Sequence, residues 1–412
     1  MNTINSDTRL PRSPKTPNSV EAPYSLHKQS LGQILRNDLG FLPVLLTLIV
    51  IAVFFQITTQ GLFLTPRNLT QLVLQITTIG TLGLGVILVL LLGEIDLSVA
   101  SVATLCSVVM GILSERMGYP AWLAILAAIA AGAFIGLLNG FFIAYLHVPS
   151  FIVTLAASIS YGGLLIYLLQ GQATLIINND FIIGIANNYQ SGLFIGTGLP
   201  LLVLAVYIGG VVYITRRRQQ MGLRATHSLH LAATIGVPSL IVIGSLLLFH
   251  AYLGVPQALF ILAGLILLTW LLLTRTAYGR HVYAVGGNAE AARRAGINVV
   301  VIRITIFTLC STLAAIAGIL AASRASAVAS QINPTLLLQA IAAAVIGGVS
   351  LFGGRGSVWS ILLGALIIGS LENGLDLNNQ PVEVKQMIEG AVLVLAVTSD
   401  ALIRRAQMRS GR

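Results

Sequence analysis

The sequence predicts an all-α fold, a polytopic transmembrane helix bundle of about 12 spans (roughly 10 to 14), with both termini on the cytoplasmic side. Three observations predict it. Of the 412 residues, 56% are hydrophobic and 9% are charged, against about a quarter charged in a soluble domain. The apolar residues fall in long blocks, many reaching the roughly 20 residues that a helix needs to cross about 30 Å of hydrocarbon. The blocks lack the period-2 alternation of barrel strands, so in lipid, where every backbone polar group must be paired internally, they read as helices.

Taken in order, residues 1–39 are polar, rich in Pro and Ser, and carry Arg9, Arg12, Lys15, Lys28 and Arg36. Such a stretch is expected to be a disordered cytoplasmic tail and not a cleavable signal peptide. A transmembrane domain is expected over 40–404, with spans near 41–58, 69–92, 96–113, 121–146, 150–170, 199–215, 234–253, 256–274, 302–322, 335–353, 357–373 and 386–403. Residues 405–412 form a basic C-terminal tail. Lys and Arg placement, which did not enter the span assignment, tests the arrangement. With the N-terminus inside, all but Arg67, Arg116, Arg324 and Lys385 of the 23 basic residues fall on the inner side, as the positive-inside rule requires of an N-in, C-in chain.

The net charge of +10 and pI of about 10.0 do not make the chain a nucleic-acid binder, because the basic residues lie in short segments between apolar runs and form no continuous face. Cys106 and Cys310 each sit inside an apolar run, where a small buried thiol is the default. The 41 glycines include Gly80, Gly83 and Gly85, then Gly132, Gly136 and Gly140, then Gly347 and Gly348. Small faces let helices approach closely, so a compact bundle is expected. The outer loop, about 171–198, is neutral apart from Asp180 and is either a connector or a segment that packs on the mouth or meets an external partner.

No residue set points to catalysis. The chain has no GxxxxGK[ST] loop to cradle a nucleotide, and the glycine-rich run Gly347–Gly356 lacks the Lys-Ser/Thr pair. No HExxH is present, and His227 with His230 is a weak metal spacing. No catalytic residue, metal site or cofactor is expected.

Polar groups inside apolar runs are more informative, since a carboxylate at a helix centre costs roughly 2.5 to 3.5 kcal/mol on insertion scales. Glu94, Asp96 and Ser98 interrupt an apolar stretch that starts at Leu82 and runs beyond Val109. They either cap the following helix or line a translocation path or gate. Asn139 is either an interhelical hydrogen bond or a pathway group. Glu372 and Asn373, with Asp376 close behind, are either a solvated helix end or pathway groups.

The inside segment 275–303 differs from every other connection. In it Asn288 is a good N-cap, 289–295 is a short helix of strong formers, and Gly296 is a stop at C′; the product is a basic two-turn knob between spans. The run from Tyr278 to Ile297, Tyr-Gly-Arg-His-Val-Tyr-Ala-Val-Gly-Gly-Asn-Ala-Glu-Ala-Ala-Arg-Arg-Ala-Gly-Ile, resembles the coupling region of permeases of ribose- and xylose-type ABC sugar importers. Glu94-Ile95-Asp96-Leu97-Ser98, the segment Val148–Leu155, the segment Ala343–Gly356 and Leu371-Glu372-Asn373-Gly374 resemble that family's other markers, in the same order, over about residues 65 to 400. The extra basic and apolar stretch at about 216–256 is similar to an insert of the xylose branch.

The resemblance implies a permease subunit in the cell (inner) membrane that carries a monosaccharide, D-xylose first, and hydrolyses no ATP itself. It also implies partners: an ABC ATPase, a periplasmic or lipid-anchored sugar-binding protein, a second copy of the permease as a homodimer, and membrane lipid. By the same resemblance the ATPase engages Asn288, Ala291, Ala292, Arg293, Arg294, Gly296 and Ile297. Ribose, galactose, arabinose or a branched-chain amino acid stand as alternative cargoes, and an ion-coupled secondary transporter as the alternative of another class.

Overall fold

The computed structural model describes residues 42–221 and 228–409; the expected N-terminal tail, His227 and the last three residues of the expected C-terminal tail lie outside them. Within the described residues the apolar blocks are helices: α1 Leu42–Thr58, α2 Pro66–Leu91, α3 Val99–Gly111, α4 Ala121–Ala144, α5 Ser150–Leu168, α6 Asp180–Asn187, α7 Leu199–Gln220, α8 Ser228–His250, α9 Gln257–Arg275, α10 Ala277–Gly287, α11 Ala289–Arg294, α12 Val299–Ala325, α13 Pro334–Ile346, α14 Ser360–Leu377 and α15 Val382–Arg409. Each of the twelve expected spans falls on one of these. Nine helical segments among the described residues are long and apolar enough to cross a membrane, and Leu46–Thr58 and Pro334–Ile346 are shorter apolar helices. The chain is a polytopic helical membrane protein. Helix α15 runs on through Arg404 and Arg405 to Arg409, so helix extends into the segment expected as a tail.

Two helices make the centre. In α2, 89% of the most apolar window is buried by other helices, against 6% in α8; α8 and its neighbour α7 are therefore peripheral. Helix α12 is the second centre, packed on α2, α3 and α4. It meets α4 along Gly132, Gly136 and Gly140: a Cβ on Gly136 would lie 2.4 Å from the Phe307 carbonyl oxygen, and one on Gly140 2.8 Å from the Ile304 Cα. The expected role of these glycines in close helix approach is thus met. The buried side chains Leu82, Leu84, Ile87, Phe307 and Ile361 lie in the main core that these helices share.

The loop at 171–198 is no plain connector. Strand β1 (Thr174–Ile176) pairs antiparallel with β4 (Ala327–Ala329), Leu175 opposite Val328, and β2 (Tyr189–Gln190) pairs with β3 (Val255–Pro256). Between them α6 is fastened to the C-terminal end of α12. The Ser323 hydroxyl accepts from Ala186 N–H at 2.8 Å and donates to the Ile183 carbonyl at 2.9 Å, while Asn187 Nδ2 donates to the Ser323 carbonyl at 2.8 Å. The loop packs over this end of the bundle because its backbone groups find partners there.

Candidate functional site

At the opposite end, α2 stops at Leu91 and α3 starts at Val99, and the chain between them, residues 92–98, is not helical. Irregular backbone among apolar helices is tolerated only where protein or a water-filled cavity satisfies it, and the side chains that do so are those singled out by the sequence. Asp96 is buried, and its Oδ1 accepts from Ser98 N–H at 2.8 Å and from Ser98 Oγ at 2.6 Å. The Cys310 thiol of α12 points to its Oδ2 at 3.9 Å. Asn139 Nδ2 of α4 donates to Ser98 Oγ at 3.3 Å, and Tyr161 of α5 donates to Asn139 Oδ1 at 3.4 Å. Leu97 N–H donates to Thr154 Oγ1 at 3.0 Å, and Ser101 and Ser158 hydroxyls share a bond of 2.6 Å. The break is therefore tied to α4, α5 and α12. Cys310 lies eleven residues into α12, a rise of about 16 Å, so Asp96 sits well inside the bundle.

Ser98 is the N-cap residue of α3, but no side chain caps that helix. Asp96 turns the chain into α3 by accepting the Ser98 N–H two residues on, an Asx turn, and Asn139 is an interhelical hydrogen bond. The same residues also border open space: a cavity of about 260 Å³ is lined by Val86, Leu90, Glu94, Asp96, Ile341 and Leu393, among other apolar side chains, near the lower end of small-molecule site volumes. Glu94 is held at one edge by Arg303 of α12, at 3.1 Å.

The segment 277–297 folds as its residues dictate. Thr276 caps α10 through the Gly279 N–H, and Asn288 Oδ1 caps α11 by accepting the Ala291 N–H at 2.9 Å. Gly296 takes a left-handed φ of +85°, Gly296 N–H bonds to the Arg293 carbonyl, and Ile297 N–H bonds to that of Ala292 at 3.1 Å. Those two bonds are the Schellman stop that only a residue tolerant of positive φ makes cheaply. Glu290 bridges Arg293 at 2.7 Å and Arg294 at 3.1 Å, all three exposed. Asn288, Ala291, Arg293, Arg294 and Gly296 are exposed and Ile297 half-buried, whereas Ala292 is buried in the core. Ala292 therefore anchors α11, and the others form its free face. Burial pushes the phenols of Tyr278 and Tyr283 above the ordinary tyrosine range, which keeps both as neutral donors: Tyr278 shares a bond of 2.7 Å with Thr305 Oγ1, and Tyr283 donates to the Gly356 carbonyl at 3.0 Å.

Glu372 and Asn373 lie on α14, far from the break in the chain and outside its hydrogen-bond network. Asn373 Oδ1 accepts from Asn68 Nδ2 at 2.8 Å, and Asp376 pairs with Lys385. Two neighbours were not anticipated. Gln339 of α13 donates from Nε2 to Glu389 Oε1 of α15 at 2.8 Å and lies within hydrogen-bonding reach of Glu372. Glu389 is buried, and its Oε2 has no partner among the described residues. A signal for Glu389 and Gln339 existed, since each is a polar group inside an expected span, 386–403 and 335–353; none existed for the part Tyr161 plays, and Cys310 read only as a buried thiol.

Residues 68–397 match the family described as branched-chain amino acid transport system, permease component, and the chain belongs to that family of transport permeases. The chain is similar to the xylose transport system permease protein XylH of Haemophilus influenzae, 38% identical over 360 residues that cover 87% of this chain and 95% of that one. It is 37% identical to XylH of Escherichia coli (strain K12), over 87% of this chain and 91% of that one. Similarity extends to the fructose import permease protein FrcC of Rhizobium meliloti, 30% identical over 93% of this chain and 92% of that one. No solved structure matches the chain.

Proposed function

We propose that this chain is the membrane-spanning subunit of an ATP-driven importer of a monosaccharide, with D-xylose as the first cargo. The observation that carries the reading is the pair of xylose permeases similar at 37 and 38% across 87% of the chain. The peripheral helix α8 supports the xylose branch, because it lies in the stretch at about 216–256 that is similar to an insert of that branch. The chain sits in the cytoplasmic membrane with both termini inside, as its Lys and Arg distribution favours. Two copies form the pathway, a sugar-binding protein delivers cargo on the outer side, and lipid covers the apolar faces of α5 and α8.

A separate ATPase docks on the exposed face of α11, at Asn288, Ala291, Arg293, Arg294, Gly296 and Ile297. ATP binding there favours one of two arrangements of the bundle and so reverses the side to which it opens, which is differential stabilisation of two states. Glu94, Asp96, Ser98, Asn139, Glu372 and Asn373 are the pathway or gate groups of this reading.

The test is uptake by vesicles that carry the chain with its ATPase and binding protein. ATP-dependent accumulation of labelled D-xylose ahead of ribose, arabinose and fructose is the expected result. Accumulation of leucine in its place, or uptake driven by an ion gradient without the ATPase, overturns the reading. Asn288→Ala removes the cap of α11, worth about 1 kcal/mol locally, and is expected to abolish ATPase-coupled uptake while the protein still inserts in the membrane, which uptake and membrane fractionation measure side by side.

A further inference from the structure

The free face of α11 follows directly on α10, whose last turn touches the broken span with no side chain between. A Cβ added to Gly286 of α10 would lie 1.7 Å from the Leu91 carbonyl oxygen, at the last turn of α2, and 2.8 Å from the Gly354 nitrogen. That same Leu91 carbonyl accepts the Gly354 N–H at 2.9 Å. A Cβ on Gly353, which holds a φ of +82°, would lie 2.6 Å from the Gly286 carbonyl oxygen and 2.9 Å from the Gly93 nitrogen. Tyr283, one turn before Gly286, grips the same turn from its other end through the Gly356 carbonyl at 3.0 Å. Three backbones therefore meet at van der Waals distance or closer: the end of α10, the end of α2 with the start of the break, and the 353–356 turn that leads to α14.

Side chains absorb small displacements by changing rotamer, but backbone packed on backbone does not, because close-packed interiors transmit strain. A shift of α10 has no slack to spend before it reaches Leu91 and Gly93. Three residues further on the displaced chain carries Asp96, which faces the Cys310 thiol of α12, and then Ser98, which accepts from Asn139 of α4.

We propose that this glycine junction is where movement of the docking segment passes into the broken span, with Gly286 and Tyr283 as its positioning residues. The proposal rests on the reading that an ATPase engages α11. It makes the break a moving part driven from α10, and it sets the junction apart from the α4 glycines, which hold α4 and α12 together along their length.

The test uses the assembled importer in proteoliposomes, with ATP hydrolysis and pentose uptake measured in the same vesicles. Gly286→Ala and Tyr283→Phe are expected to keep the ATPase bound through purification and to hydrolyse ATP near the wild-type rate. Pentose moved per ATP should fall by about tenfold in the first and about threefold in the second. A residue that only stabilises the fold lowers both rates in proportion and leaves the ratio unchanged, and an unchanged ratio overturns the proposal. If Gly286→Ala fails to accumulate, Tyr283→Phe, which deletes a single hydroxyl, decides by the same ratio. An unmodified complex that shows no ATP-dependent uptake at all overturns the functional reading and not the junction.

Discussion

The break at 92–98 and the acidic group shared by α14 and α15 both place carboxylates among apolar helices, and they leave them in opposite states. Asp96 has donors on both oxygens, from its own turn and from α12. Glu389 has one oxygen on Gln339 and the other buried without a partner among the described residues. A satisfied buried network fixes one geometry, whereas a half-satisfied one is costly and gains by changing partner. The difference teaches that intramembrane charge is not one kind of feature. Asp96 behaves as a pin that holds the 92–98 turn against α12, and Glu389 as a group with bonding capacity left over in this arrangement of the bundle.

The comparison can be broken most directly at the pin. Asp96→Ala orphans the Ser98 N–H and hydroxyl and leaves a void among α3, α4 and α12, which is expected to cost about 2–4 kcal/mol. Thermal unfolding of the purified protein in detergent should show the loss, and an unchanged midpoint would remove Asp96 from the structural role given to it.

A smaller effect is expected at the edge of the same region. Glu94→Gln weakens the bridge to Arg303, a pair still partly open to solvent at side-chain exposures of 17% and 26%, so the loss should stay within about 1 kcal/mol. The same unfolding assay places it between the other two variants.

The least effect is expected at Glu389→Gln. The variant keeps the acceptor for Gln339 and removes a carboxylate that burial, Glu372 and Asp376 disfavour and Lys385 favours, so stability should change by no more than about 1 kcal/mol. A loss as large as that of Asp96→Ala would erase the contrast between the two regions.

Much of this was legible in the sequence, and for a physical reason in each case. The helices of the twelve apolar blocks, nine of them long and apolar enough to span among the described residues, could be read because desolvation forces the backbone of each block to pair within itself. The cap and stop of α11 could be read because Asn288 and Gly296 act on N–H and C=O groups at most five residues away. Glu94, Asp96, Ser98 and Asn139 could be named as interruptions of apolar runs, but not assigned to partners. Glu389 is an interruption of the same kind, left unremarked in an otherwise ordinary span.

What the sequence by itself determined is local: which apolar blocks are helices, where α2 breaks, and how α11 is capped, all set by hydrogen bonds that close within a turn or two. Only the tertiary structure decided which polar groups are paired and which are not. Cys310 reaches Asp96 across 214 positions of sequence, and Gly286 reaches Leu91 from another helix altogether. Such meetings depend on how each helix is rotated and seated against the others, a choice made by packing that no single stretch of sequence contains.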